Sequence, residues 1–93
     1  MYALVVTVGL EPGRGDEAVE MLNNQVVPAA KANAGFVSGT WARSEDGTKG
    51  HSVELYQTKE AAEAVLAQSK DGPPPGAPVK LLYAEVYEVL AQA

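Results

Sequence analysis

The sequence predicts one α+β domain in which strands and helices follow in the order β-α-β-β-α-β. Three observations lead there. Runs rich in apolar and β-branched residues at Tyr2–Gly9, Phe36–Arg43, His51–Gln57 and Val79–Leu90 read as strands. Two segments with helical patterning separate the first strand from the second and the third from the fourth. Between the second and third strands stands only Glu45–Gly50, whose Asp46-Gly47 is a strong hairpin signal. A chain of 93 residues leaves no room for a second domain, so residues 1–93 are one unit.

Each element has a local reason. Tyr2–Gly9 stops at the breaker cluster Glu11-Pro12-Gly13-Arg14-Gly15. Asp16 and Glu17 then open a helix, with negative charge at the positive end of its dipole. Ala18, Leu22, Val26, Ala29 and Ala30 recur at helical spacing. Pro28 falls inside this segment and crowds the carbonyl of Asn24. Two readings follow: a kink near that point, or a second helix starting at Pro28. Asn33-Ala34-Gly35-Phe36 is a helix stop, with Gly35 free to take positive φ. Thr58 is an N-cap for a helix over Lys59–Lys70, with Glu60 in its first turn. Asp71–Pro78 holds three consecutive prolines and is neither helix nor central strand. The order is the ferredoxin-like plan: a four-stranded antiparallel sheet with both helices on one face.

Alternation along the strands adds a second expectation. Tyr2, Leu4, Val6 and Val8 point one way from the first strand, and Ala3, Val5 and Thr7 the other. In the fourth, Leu81, Tyr83, Tyr87 and Val89 share one face, and Leu82, Ala84, Val86 and Leu90 the opposite one. A sheet with one solvated face alternates apolar and polar residues cleanly, and these strands do not. Two helices cover only one side, so the other face is expected to be covered by a second copy of the chain, in an isologous homodimer with sheets face to face.

Charge and composition exclude several classes. Twelve acidic against seven basic residues, a net charge of −5, argue against a nucleic-acid or anionic membrane surface. With no cysteine there is no disulfide scaffold, zinc finger or redox dithiol. The apolar run Leu4–Val8 is too short to span a bilayer, and Met1-Tyr2 supplies no basic start to a signal peptide, so a cytoplasmic protein is expected. One histidine and scattered carboxylates make no metal site. Gly9–Gly15 lacks the spacing and the lysine of a phosphate-binding loop.

Val26-Val27-Pro28-Ala29-Ala30, Gly35-Phe36-Val37-Ser38-Gly39, Asp46-Gly47-Thr48-Lys49-Gly50 and Leu55-Tyr56-Gln57-Thr58-Lys59-Glu60 resemble the dimeric α+β barrel superfamily. Within it the chain is similar to small proteins grouped with the antibiotic-biosynthesis monooxygenases, from Tyr2 to Val89. The resemblance implies a dimer and a pocket between helices and sheet. Some members oxygenate quinol-like polycyclic compounds without a cofactor, and others degrade haem. The haem-degrading relatives use an Asn on the first strand, with a Trp and a His further along. Here Tyr2–Gly9 has no Asn, Trp41 falls on the second strand, and His51 begins the third instead of lying in the second helix. That triad is carried to no position of this chain.

Candidate site residues follow from spacing. Glu54 and Tyr56 leave the same face of the third strand, with Ser52 beside them. A carboxylate on a central strand is costly to desolvate, and a raised pKa there suits a general base. The alternative is that Glu54 pairs with Arg43 across the hairpin. His51 is a second proton acceptor, or else an exposed strand start. Trp41 and Arg43 share a face of the second strand and can clamp a flat ligand by stacking, or anchor an interface. Asn23 on the first helix is a candidate amide donor, or an ordinary exposed polar residue. Two functions are carried forward. One is a small-molecule-binding homodimer without established catalysis. The other is a cofactor-independent monooxygenase or isomerase acting on an aromatic or quinol-like compound. There, Glu54 or His51 takes the proton, while Trp41, Arg43, Tyr56 and Asn23 bind. No cofactor, nucleic acid or membrane is expected.

Overall fold

A computed structural model describes Met1–Ala93. The chain runs β1 (Tyr2–Leu10), α1 (Gly15–Met21), a π-helical segment (Leu22–Val26), α2 (Val27–Ala32), β2 (Phe36–Arg43), β3 (Lys49–Tyr56), α3 (Lys59–Lys70) and β4 (Val79–Glu88). The strands pair antiparallel in the order β2-β3-β1-β4, which puts β3 and β1 in the centre. This is the expected ferredoxin-like plan. No helix is long and apolar enough to cross a membrane.

The helices lie on the face that carries Leu4, Val6 and Val8 of β1 with Ser52, Glu54 and Tyr56 of β3. Leu4 and Tyr56 are fully buried against Ala62 of α3, and Phe36, Val65, Leu66 and Val86 pack around them. Thr58 caps α3 through its side chain, accepting from the Ala61 amide at 3.1 Å. Gly35 has φ 80°, and its carbonyl accepts from the Gln57 amide at 2.9 Å. A β-carbon there would lie 3.0 Å from the Ala61 methyl, so a glycine lets α3 approach the turn.

The second reading of Pro28 holds to within one residue: α2 begins at Val27, with the proline in its first turn. The chain ahead of it stays helical, Val26 and Val27 keeping helical dihedrals and the Val27 amide donating to the Leu22 carbonyl in a wide, i→i+5 turn. The extra residue in that turn relieves the ring's conflict with the carbonyl four positions back, and α-helical bonding resumes one residue ahead of Pro28.

β3 begins two residues earlier than expected because the hairpin turn is tighter than its composition suggested. Asp46 organises it, its Oδ1 accepting from the Thr48 amide at 3.0 Å, the Thr48 hydroxyl at 2.7 Å and the Ser44 hydroxyl at 2.8 Å. These donors, the Thr48 amide foremost, hold its carboxyl down at about 2.

The expected alternation of β4 also needs correction. A bulge lies between Thr7 and Val8 of β1: Thr7 pairs with Tyr83 and Val8 with Leu81, leaving Leu82 as the extra residue. One extra residue inverts the phase of a strand. Leu81 therefore joins Val8 on the helix side while Tyr83 and Tyr87 stay on the outer face, splitting the predicted set. Leu82 turns outward as well, over Gly9. Val53, Leu82, Tyr83 and Tyr87 of the outer face are all exposed.

Ahead of β4, Arg14 ties the proline-rich loop to α1. Its guanidinium bonds Glu11 at 2.8 Å and the Gly76 carbonyl at 2.7 Å, and also bonds Glu17.

Candidate functional site

Under α1 and the π-helical segment the inner sheet face is not packed. It leaves a cavity of about 440 Å³. Val6, Val8 and Leu10 form its floor, Val19, Leu22 and Val26 its roof, and Trp41 and Arg43 its wall on β2. The cavity exists because the residues facing it are small where the packed end has Tyr and Phe. Val8 faces Gly50 across the β1–β3 ladder, and Val6 faces Ser52. A β-carbon on Gly50 would lie 2.9 Å from the Val8 side chain, so that glycine keeps the two central strands' side chains from closing the space.

The cavity is lined mostly by apolar residues, with Arg43, Ser52, Ser69 and Glu54 among the polar ones, and Glu54 is its one carboxylate. It is 6% exposed, and Tyr56 donates its hydroxyl to Oε1 at 2.8 Å. No cation pairs with it. Burial therefore dominates and pushes its carboxyl above the ordinary value of 4.5, with the Tyr56 hydrogen bond opposing. Oε2 has no partner within the protein, yet no buried side-chain oxygen lacks one. That oxygen therefore borders the open cavity, where a ligand donor could reach it.

The remaining sequence candidates divide sharply. Trp41 and Arg43 line the cavity with Glu54. Arg43 stands opposite Gly50, two rows from Glu54, so the pairing considered between Arg43 and Glu54 does not form. Its Nη1 instead reaches the start of α1, 3.5 Å from where a β-carbon of Gly15 would be. Tyr56 belongs to the packed end, its ring edge-on to Phe36 at 5.8 Å between centroids, and it touches the site only through Glu54. Burial and the Glu54 hydrogen bond raise its hydroxyl well above the usual range, so it stays a donor.

His51 borders the cavity with its main chain, but alternation sends its ring to the outer face, where Nδ1 lies 2.8 Å from Thr7 Oγ1. Asn23 is on the solvent side of the helix, its amide donating to the Val19 carbonyl at 3.1 Å. Neither is brought to Glu54. Gly39 and Gly50, which shape the site, were not singled out from the sequence. Their signal was present all the same, since a glycine inside a strand marks a close approach. No cluster of three or more His, Cys, Asp or Glu side chains is placed to hold a metal ion.

No family model and no curated protein matches the chain in sequence. Solved structures do match its fold. A Chloroflexus aurantiacus protein provisionally named an antibiotic biosynthesis monooxygenase superimposes with TM-score 0.69 at 18% identity, over 99% of this chain and 95% of its own. An MhuD variant with two manganese protoporphyrin IX molecules bound per active site gives 0.67 at 17% identity, over 100% and 98%. A monooxygenase from the gene ActVA-Orf6 of Streptomyces coelicolor, in complex with nanaomycin D, gives 0.63 at 18%, over 99% and 89%. Over nearly its whole length, the chain has the fold of the antibiotic-biosynthesis-monooxygenase-like structures.

Proposed function

We propose that the protein is a small-molecule-binding homodimer whose ligand is a small aromatic compound carrying a hydrogen-bond donor. The observation that carries this reading is the open Glu54 oxygen in a largely apolar cavity. Its volume of about 440 Å³ suits a ligand of two or three rings. An apolar body gains by leaving water, and a hydroxyl on it satisfies Oε2. Trp41 offers the ring a stacking surface, and Arg43 stands at the mouth. Structures of the same fold hold nanaomycin D and manganese protoporphyrin IX, which supports reading the cavity as a ligand site.

The pairing of two copies through the outer sheet face is supported by area. A monomer of 9.7 kDa is expected to expose about 5,100 Å². This chain exposes 5985 Å² and buries 8 of its 93 residues. Exposed Val53, Leu82, Tyr83 and Tyr87 supply an apolar patch of the kind that marks an interface. The proposed setting is the cytoplasm.

Native mass spectrometry and isothermal titration calorimetry with 1-naphthol test the reading. A species of twice 9.7 kDa and saturable binding that Glu54→Leu removes are expected. A monomer that binds naphthol sinks the dimer alone, and a dimer that does not bind it sinks the ligand class.

A second reading, a cofactor-independent monooxygenase or isomerase, is favoured by Glu54's raised hold on a proton. As carboxylate it would take the proton of a phenolic hydroxyl, leaving an electron-rich ring anion to react with dioxygen. In this reading Glu54 is the only base, because His51 faces away. Glu54→Gln should then abolish oxygen consumption with 1,4-dihydroxynaphthalene above the uncatalysed background while leaving naphthol affinity nearly intact; equal loss of both rules out the base role.

A further inference from the structure

The wall of the cavity on β2 is shaped by a residue with no side chain. Gly39 stands opposite Glu54 in the β2–β3 ladder and Trp41 opposite Ser52, so both face the helix side. A β-carbon at Gly39 would lie 2.5 Å from Trp41 Cη2, 2.7 Å from Cζ3 and 3.3 Å from Cζ2. The six-membered ring of the indole therefore lies down along the strand, against bare main chain, instead of standing out from it. For this reason Trp41 borders the cavity and Gly39, beneath it, does not.

Backbone conformation does not call for glycine here. Five glycines of the chain have positive φ, and Gly39 is not among them. A glycine inside a strand costs entropy and leaves nothing to pack, so its presence needs another reason. The indole supplies one.

We propose that Gly39 is a positioning residue which, through Trp41, sets the width of the cavity and selects flat ring systems over puckered ones. This rests on the reading of the cavity as a ligand site. Any side chain at position 39 has to lift the indole by about 1 Å to restore ordinary contact distances. The flat wall then becomes an obstruction, and a ring that stacked on the indole loses its place.

The test uses the wild type, Gly39→Ala, Trp41→Leu and the double variant, with circular dichroism as the check on folding. Trp41 is the only tryptophan, so acrylamide quenching without ligand reads its position directly. Gly39→Ala is expected to raise the quenching constant about twofold, since a displaced indole loses the strand that covers one face. Calorimetry then compares 1-naphthol with its puckered analogue, trans-decahydro-1-naphthol. The wild type should prefer naphthol. Gly39→Ala should weaken naphthol binding about tenfold when residue 41 is Trp, and less than about twofold when it is Leu.

Equal losses in both backgrounds, or unchanged quenching, overturn the proposal while naphthol binding by the wild type keeps the ligand site. Binding of neither probe by the wild type overturns the ligand site and the selection with it, and reduces any quenching change to packing. Where Gly39→Ala does not fold, Trp41→Leu should restore folding. A double variant that stays unfolded also overturns the proposal.

Discussion

The two ends of the sheet's inner face are laid on the same strands and filled in opposite ways. At one end Leu4, Tyr56 and Phe36 pack against Ala62, Val65 and Leu66 of α3. At the other, Val6, Val8, Gly50 and Ser52 look up at α1 across empty space. α3 is a capped helix of 12 residues lying directly on the sheet. α1 has 7 residues, none of them buried, and no side-chain cap. It is held at its start by Arg14 and at its far end by the wide turn that leads into α2. The packed end supplies stability, and the hollow end gives some up for space. Glu54 sits on the boundary, its Oε1 bonded to the packed end through Tyr56 and its Oε2 facing the hollow one.

Mutations at the two ends should separate these roles. Leu4→Ala, at a fully buried position, should cost about 3 kcal/mol in chemical denaturation. A loss under about 1 kcal/mol would show that the packed end is looser than described. Ala18→Leu, pointing a larger side chain into the cavity, should raise stability by about 1 kcal/mol and abolish naphthol binding. Lower stability with binding intact would mean that the hollow end is already filled by rearrangement.

Tyr56→Phe should cost about 1 kcal/mol by removing the donor to Glu54, and should raise the pH at which Glu54 ionises. That shift is read from the carboxyl resonance by NMR. The boundary carboxylate also has a signed pH signature. Its folded-state value lies above the unfolded one, near 4.5, so protonated Glu54 favours the fold. Wild-type stability, relative to Glu54→Gln, should be greatest below the unfolded value and decline as pH climbs through the folded one. A difference independent of pH would place Glu54 in water. The smallest effect belongs to Arg43→Ala. With no ion pair to lose, it should change stability by less than about 0.5 kcal/mol.

The packed end was more legible in the sequence than the hollow one. Thr58 declared itself through its spacing from the helix that it caps, and Gly35 through the helix stop before Phe36. Alternation placed Leu4 and Tyr56 on a face without telling which face meets the helices, both faces being apolar, and Tyr56 read as a ligand contact instead of core. These signals are local, and period and cap chemistry carry them. Trp41 and Arg43 could likewise be grouped, because parity sends both to one face of β2; joining them to Glu54 takes the hairpin register as well. The same parity argument, applied to His51, would have sent its ring away from Glu54. Residue-type chemistry outweighed it. The β4 bulge was invisible because it depends on how two strands align, not on either strand's composition. The cavity was invisible for a related reason: empty space is a relation among Gly50, Ser52, Val8 and a distant helix, and no single residue encodes it.

The position of β1 in the sheet bears on how the protein forms. Tyr2 pairs with Tyr56 on one side and with Glu88 on the other. β1 is synthesised before either partner, and its second neighbour is the last strand of the domain to leave the ribosome. The most apolar strand of the chain therefore waits for β3 with both edges open, and one edge stays open longer still, until β4 follows. Contacts that distant in sequence close slowly, on the order of milliseconds to seconds, and an unpaired apolar strand is open to pairing with other chains meanwhile. Yield in a cell should respond to synthesis rate and chaperone supply more than the stability of the finished fold would suggest.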